Sequence, residues 1–203
     1  MERRELLKMI ALLTGGAVVG GNALLTGCNN KKNVQKTGTA FSNDDLAFLD
    51  EIAETILPAT KTPGAKAAKV GSFMTVIVND CYEEEDQQAF HEGIDKLNEA
   101  CEKMHRDEFM KATLQQRHQL LVALDKEAKE YQEKKGDHEK KEREKNKDFK
   151  GLPNHYFTMM KQLTLWGYFT SEIGRREALR YNPVPGRYEG CVPYHKGDRA
   201  WAY

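Results

Sequence analysis

The chain lacks an excess of charge of either sign. Its 203 residues contain 31 lysines and arginines and 31 aspartates and glutamates, so the formal net charge is zero. Removing residues 1–27 takes away three basic and two acidic side chains and leaves 28 and 29. Proteins that bind nucleic acid usually carry a basic field that attracts phosphates. The composition therefore argues against nucleic acid as a partner.

The chain also lacks the short motifs that bind nucleotides and redox cofactors. It contains no G-x-G-x-x-G, no P-loop and no G-x-S-x-G, which would mark dinucleotide binding, phosphate binding and a hydrolase nucleophile. We therefore expect this chain to bind no flavin or nicotinamide of its own.

Cysteine is scarce, with four in the whole chain, and the six histidines are scattered. Cys191 precedes His195, but covalent haem attachment requires two cysteines in C-x-x-C-H. A metal site at Cys191 and His195 would need two further ligands. We predict no metal site and interpret the histidines as solvated or capping residues.

The first 27 residues have the pattern of an export signal. Arg3 and Arg4 precede an uncharged 17-residue run, Met9 to Leu25, which glycines at 15, 16, 20 and 21 make a poor spanning helix. A basic start, a mildly apolar middle and small residues before a cleavage point are typical of a signal peptide. The twin arginine resembles the signal of the Tat pathway, which exports folded proteins. A plain N-terminal membrane helix is the alternative.

The signal ends in a sequence that resembles a bacterial lipobox. In Leu25-Thr26-Gly27-Cys28, the cysteine would become the lipidated first residue of the mature protein. Residues 28–40 are polar and contain lysines, which predicts a flexible tether. We therefore expect a periplasmic lipoprotein that is exported by Tat and anchored to a membrane.

Three cysteines would remain in an oxidising compartment, where one internal disulfide could form. Cys101 lies on an apolar helical stripe and is expected to be buried. Cys81 and Cys191 lie in polar surroundings, so this pair is the favoured disulfide. Three free thiols are the alternative.

The remaining chain, residues 41–203, is predicted to be an all-α bundle of five to six helices. Capping boxes at Ser42–Asp45 and Thr113–Gln116 start two of them. Residues 76–78 could also form a strand, but no partner strand is visible. Further helices are predicted from about Pro153 and from a Ser171 cap to Arg180. Three predicted apolar faces consist of Leu46, Leu49, Ala53 and Ile56; Phe90, Ile94, Leu97, Cys101 and Met104; and Leu114, Leu121, Leu124, Ala128 and Tyr131.

Residues 132–150 are almost wholly charged and carry no apolar stripe. Opposite charges that alternate in this way are typical of either a solvated helical extension or a disordered insertion. Both alternatives remain open from the sequence.

The end of the chain is rich in aromatic residues and arginine. Such side chains are enriched in interface hot spots, and an irregular tail of this composition would be costly to leave exposed. It either packs on its own helices or covers a partner. The candidate partner-binding residues are Trp166, Tyr168, Phe169, Glu172, Arg187, Tyr188 and Trp201.

Two blocks of the sequence resemble the gluconate 2-dehydrogenase subunit 3 family. They read LDEIAETILPATKTPGAKAAKVGSFMTVIVNDCY and LTLWGYFTSEIGRREALRYNPVPGRYEGCVPYHKGDRAWA, and the resemblance spans residues 41–202. It implies a noncatalytic small subunit of a membrane-associated dehydrogenase. The large partner would be a flavoprotein of the glucose-methanol-choline type that holds FAD and oxidises a sugar, a sugar acid or a glycoside. A third subunit would carry haem c.

The resemblance also suggests a division of labour within such a complex. The small subunit would stabilise the flavoprotein, carry it through Tat and tether it through the lipid on Cys28. Two alternatives remain: a stand-alone helical lipoprotein that acts as an interaction module, and an enzyme that uses carboxylates and histidines of the C-terminal block.

Overall fold

The computed structural model describes residues 40–187 and 189–202 of the chain. Within these ranges the chain folds into five α-helices, one π-helical turn and two very short strands, which confirms the predicted all-α class. The helices are α1 (Asn43–Ile56), α2 (Val70–Cys81), α3 (Glu84–His105), α4 (Leu114–Lys145) and α5 (Tyr156–Thr170). The turn of π-helix is Gly174–Ala178, and the strands are β1 (Arg180–Tyr181) and β2 (Trp201–Ala202).

Both predicted capping boxes are present. The Asp45 amide donates to Ser42 Oγ over 3.1 Å, and the Ser42 amide donates to Asp45 Oδ2 over 2.9 Å. At α4 the Thr113 amide donates in the same way to Gln116 Oε1 over 2.8 Å. Each box satisfies amides that the first helical turn leaves without a partner.

Helix α2 settles the alternatives that the sequence left open for residues 76–78. Residues 76–78 lie inside this helix, so the strand alternative is wrong. The helix begins at Val70 because Lys69 adopts a left-handed conformation with φ 54°, which breaks the helical path from the preceding turns.

Helix α4 is longer than its apolar stripe. Leu121, Leu124 and Ala128 are buried as predicted, but Leu114, the first residue of the helix, is 76% exposed. The helix continues to Lys145, so the charged segment is helical over most of its length. The returning chain braces it, since the Leu152 amide donates to Glu139 Oε1 over 2.9 Å.

Helix α5 is the central element of the bundle and contacts each of the other four helices. Phe157, Met160 and Leu163 are almost fully buried on it. Two glycines allow close helix packing: Gly93 of α3 lies against Tyr156, and Gly167 of α5 lies against Phe73 of α2. Apolar side chains that do not fit into this core are left on the outer side of α5.

The predicted short helix after α5 is present as the π-helical turn. Residues 172–173 are helical and lead into it, and Ser171 caps this segment, because the Gly174 amide donates to Ser171 Oγ over 3.0 Å. Strands β1 and β2 then pair in parallel, with Arg180 opposite Trp201. No helix in residues 40–187 and 189–202 combines the length and apolarity that crossing a membrane requires.

Candidate interaction surface

The outer side of α5 joins one side of α2 in an exposed apolar surface. We call it the α2–α5 face and define it by Phe73, Val76, Leu165, Trp166 and Phe169. On α5, exposed positions 165, 166 and 169 alternate with buried positions 163, 164, 167 and 168. A helix with apolar residues on all sides normally lies inside a protein, and the described residues leave this side of α5 uncovered.

Two aromatic side chains of this face contact each other. The rings of Phe73 and Trp166 meet edge to face, with 5.2 Å between their centroids. Trp166 nevertheless remains 52% exposed, and Val76, one turn along α2 from Phe73, is 55% exposed. Contiguous apolar patches that contain tryptophan and phenylalanine are typical of protein interfaces. The predicted residues Trp166 and Phe169 therefore lie where a partner could contact them.

Tyr168 does not belong to this face, although the sequence predicts it as a partner-binding residue. It is 4% exposed, and its hydroxyl donates to the carbonyl of Pro63 over 2.7 Å. The next residue, Phe169, points outward, because neighbouring positions of a helix lie on different sides. Tyr168 thus ties α5 to the loop after α1, and its side chain lies inside the chain and not on this exposed surface.

A charged depression borders the α2–α5 face where α5 ends. It has a volume of about 390 Å³ and is lined by Thr170, Glu172, Arg175, Arg176 and Tyr181. Glu172 pairs with Arg176 over 3.2 Å, and the Arg176 guanidinium lies over the Tyr181 ring at 5.7 Å from its centroid. The predicted residue Glu172 is therefore exposed beside the apolar face, where its charge pair could form part of a polar rim.

The remaining predicted residues lie in or beside residues 182–200, which we call the C-terminal loop. Its ends are joined by the β1–β2 pair and by Arg180, which contacts Asp198 Oδ2 over 3.1 Å and covers the Trp201 ring at 5.0 Å. Trp201 is 48% exposed, and Arg187 is exposed on the loop. Tyr188 lies outside the described residues.

The predicted disulfide between Cys81 and Cys191 is not present in the structure, where both thiols are free and exposed. Cys81 ends α2 about 12 Å along the helix from Phe73, given the rise per residue of an α-helix. Phe73 packs against Gly167 near the end of α5. Cys101 is free and buried, as its position on the apolar stripe predicted.

The predicted signal residues Arg3, Arg4 and Cys28 lie outside the described residues.

Sequence reasoning missed several residues of this surface. It places Phe73, Val76 and Leu165 in helices without identifying them as exposed, and it does not anticipate the pair of Arg180 with Asp198. A signal for Val76 was available, because residues 73–78 contain more apolar side chains than one buried stripe can accommodate. The ion pair carries no such local signal, since its partners are 18 positions apart.

Among residues 40–187 and 189–202 there is no group of three or more His, Cys, Asp or Glu side chains placed to hold a metal ion. Burial raises the pKa of Tyr156 to about 12, but this side chain packs against Gly93 at the crossing of α3 and α5. Its shift is explained by packing in the core.

Comparison with known proteins gives one clear result. No curated protein matches the chain, and no solved structure matches it. The sequence model of gluconate 2-dehydrogenase subunit 3 matches residues 43–186, which include all five helices, the π-helical turn and β1. This match confirms the resemblance found in the sequence. The chain belongs to the gluconate 2-dehydrogenase subunit 3 family, whose members are accessory subunits of a multi-subunit dehydrogenase.

Proposed function

We propose that the chain is the noncatalytic small subunit of a membrane-associated flavoprotein dehydrogenase. The large subunit would be of the glucose-methanol-choline type, would hold FAD, and would oxidise a sugar, a sugar acid or a glycoside. The observation that carries the proposal is the α2–α5 face, an exposed apolar surface on an accessory subunit of a dehydrogenase complex. A third subunit with haem c would receive the electrons in complexes that contain one.

The flavoprotein is the proposed occupant of the α2–α5 face. Burying apolar area contributes about 25 cal/mol per Å², and large aromatic side chains dominate the affinity of many interfaces. Trp166 and Phe169 supply such side chains on one helix face. The Glu172–Arg176 pair at the border gives the polar rim that surrounds a typical apolar interface centre.

The leader sequence extends the proposal to export. A flavoprotein must fold around FAD before it can be exported with its cofactor, and the Arg3-Arg4 signal resembles one that exports folded cargo. We infer that the small subunit carries the bound flavoprotein through Tat. Residues 28–40 then connect the helical domain to a lipid on Cys28, which places the complex at the periplasmic side of a membrane.

Deletion of residues 1–27 tests this function directly. In cells that express both subunits, we expect the large subunit and its flavin to remain in the cytoplasm. The control is the full chain with Leu114→Ser, which alters an exposed side chain on α4 and leaves the leader intact. Unchanged export of the flavoprotein with the deleted chain would refute the escort role.

Affinity purification distinguishes the proposed small subunit from a stand-alone lipoprotein. If the full chain is affinity-purified from membranes, we expect it to retain a flavoprotein with the absorption spectrum of bound flavin. Recovery of the chain without any flavoprotein would favour the independent interaction module.

A further inference from the structure

The C-terminal loop combines an exposed tip with a closed base. Val184, Val192 and Tyr194 are 78%, 51% and 75% exposed, which is unusual for large apolar side chains. The first and last residues of the loop adjoin β1 and β2, whose pairing adds hydrogen bonds from Arg180 N to Ala200 O and from Asn182 N to Ala202 O, both of 2.8 Å. The loop is therefore held at its base while its apolar residues face solvent.

Two residue pairs of strand are too few to hold such a loop by themselves. Additional contacts close it: Arg180 pairs with Asp198 over 3.1 Å, and Arg199 Nη1 donates to the Glu177 carbonyl over 2.7 Å. Arg180 also lies over the Trp201 ring, which adds a cation–π contact. We call the Arg180, Asp198 and Trp201 contacts the latch.

Asp198 links the latch to the turn next to it. Its carboxylate accepts from the His195 amide over 3.0 Å, and the Asp198 amide donates to the His195 carbonyl over 2.9 Å. Gly197 occupies this turn with φ +98°, a conformation that favours glycine. The latch therefore fixes the chain that follows Tyr194 as well as the base of the loop.

The loop also contains three prolines, at positions 183, 185 and 193. Proline fixes φ and so reduces the number of backbone conformations that the loop can adopt. A segment that is already restricted loses less entropy when it binds, which increases affinity without any new contact. Restriction and exposure together are the properties of a preorganised binding element.

We propose that the latched C-terminal loop is an arm that inserts into an apolar groove of the flavoprotein subunit. This inference rests on the proposed function and adds a second contact to the α2–α5 face. Tyr194 and Val184 supply the apolar contacts. Arg187, which forms no ion pair with another described residue, requires a carboxylate at the rim of that groove.

A lipid surface is the less suitable occupant. Aromatic and basic loops can enter a membrane interface, but the electrostatic part of such binding needs several unpaired cations. The loop carries Arg187, Lys196 and Arg199 without ion pairs among the described residues, and Glu189 cancels one of these charges. The remaining two positive charges are fewer than the roughly four to eight of a typical lipid-binding cluster, so they give little attraction to anionic lipids.

Two kinds of variant separate contact from preorganisation. Tyr194→Ser removes an exposed apolar contact and leaves the latch intact. Arg180→Gln together with Asp198→Asn opens the latch, while the side-chain oxygen at position 198 can still accept from the His195 amide. Leu114→Ser is the matched control for Tyr194→Ser, because Leu114 is 76% exposed on α4.

The experiment measures retention of the co-expressed flavoprotein by the affinity-purified full chain, as flavin absorbance per chain. We expect about a tenfold loss for Tyr194→Ser and for the latch variant, as for other hot-spot contacts, and no loss for Leu114→Ser. Amide hydrogen exchange of the unbound chain should accelerate in residues 182–200 for the latch variant alone. Thermal melting of the helical domain should not change in any of the three.

Several outcomes would overturn the proposal. Full retention by Tyr194→Ser would show that the loop is not an arm, and faster exchange without lost retention would show that the latch does not assist binding. The loop would instead be assigned to lipid if the chain binds phosphatidylglycerol vesicles and Tyr194→Ser abolishes this binding while retention of the flavoprotein is unchanged. Loss of retention with Trp166→Ser but not Tyr194→Ser would refute the arm and leave the proposed function intact. No retention by the unaltered chain would refute both.

Discussion

Arg117 is the buried charge that organises the connection between α3 and α4. It is 8% exposed, and its guanidinium donates to the carbonyls of Phe109 and Met110 over 2.9 and 2.8 Å. Its third contact is Glu51 of α1 at 2.5 Å. One planar group therefore satisfies three acceptors in different directions and joins α1, the connection and α4.

Arg117→Lys is expected to destabilise the protein although the charge is retained. An ammonium group cannot reach all three acceptors, and a buried acceptor that loses its donor costs about 1–3 kcal/mol. Urea denaturation of the full chain measures the change in the free energy of unfolding. Arg143→Lys, at an exposed position on α4, is the control and should change it little. Equal stability of the two variants would contradict this account of Arg117.

His155 couples the start of α5 to pH. Its Nδ1 accepts from the Phe157 amide over 3.2 Å, which requires an unprotonated nitrogen, and its ring stacks on Tyr156. Burial lowers the pKa of the imidazole. Glu127 of α4, 3.9 Å from Nε2, opposes this shift, and Lys96 of α3 reinforces it. The folded protein therefore keeps His155 neutral at pH values where the unfolded chain is protonated.

The sign of the pH dependence follows from that difference. The unfolded chain binds a proton near pH 6.5, so the contribution of His155 to stability is complete above that pH. It is lost as the pH falls from there to the lowered pKa of the folded state. His155→Asn retains a good N-cap residue without a titrating group, so stability should decline less below pH 6.5. Thermal melting from pH 7.5 to 5 tests this, with the exposed His118→Asn as control; parallel curves for all three proteins would refute it.

At the scale of helices, the α3–α5 crossing depends on the close approach that Gly93 allows, and Gly136 of α4 provides a comparison without neighbours. A methyl group at Gly93 would collide with Cβ of Tyr156, whereas a methyl group at Gly136 would have no neighbour within 4 Å. Gly93→Ala should therefore lower the free energy of unfolding by about 1–3 kcal/mol. Gly136→Ala should raise it by about 0.5–1 kcal/mol, because alanine is favoured over glycine inside a helix. Both variants are compared by urea denaturation, and a similar stability change in the two would contradict the packing argument.

Some helix boundaries could be predicted from the sequence and others could not. The capping boxes at Ser42 and Thr113 are local patterns of four residues, and the structure has both. The end of α4 could not be predicted, because it depends on the returning chain. Residues 152 and 154 of that chain bind side chains of the helix. The prediction that Leu114 faces inward is wrong, because the stripe identifies a side of the helix without showing where the neighbouring helices end.

The candidate surface shows the same limit. An apolar side chain on α5 has the same sequence signal whether it lies in the core or outside, so the sequence predicts Tyr168 and Trp166 alike. Only the packing of α5 among four helices separates them, with exposures of 4% and 52%. The latch was not predictable, because it joins residues on both sides of a long loop.

At the scale of the whole molecule, the described residues begin with a contact between the start of α1 and α3. Phe41 stacks on His91 with 4.1 Å between ring centroids and meets Phe90 edge to face. These contacts attach the start of α1 to α3. The first described residues therefore attach to α3, whereas the proposed docking face belongs to α2 and α5.

The proposed function assigns export to Arg3 and Arg4 and anchoring to Cys28, so it predicts that the two can be removed independently. With Cys28→Ser, the twin arginine remains, so the flavoprotein should still be exported but should appear in the soluble periplasmic fraction instead of the membrane. With Arg3→Lys and Arg4→Lys together, the lipid site remains, but both subunits should stay in the cytoplasm because the export signal is lost. Fractionation of cells that express both subunits, with flavin absorbance and enzyme-linked dye reduction as readouts, distinguishes the two results. Purified complexes should contain the flavoprotein in every case, since neither change affects the helical domain.

Membrane retention of the Cys28→Ser complex would show that a contact other than the lipid holds it there, and export of the double lysine variant would show that the flavoprotein reaches the periplasm by another route.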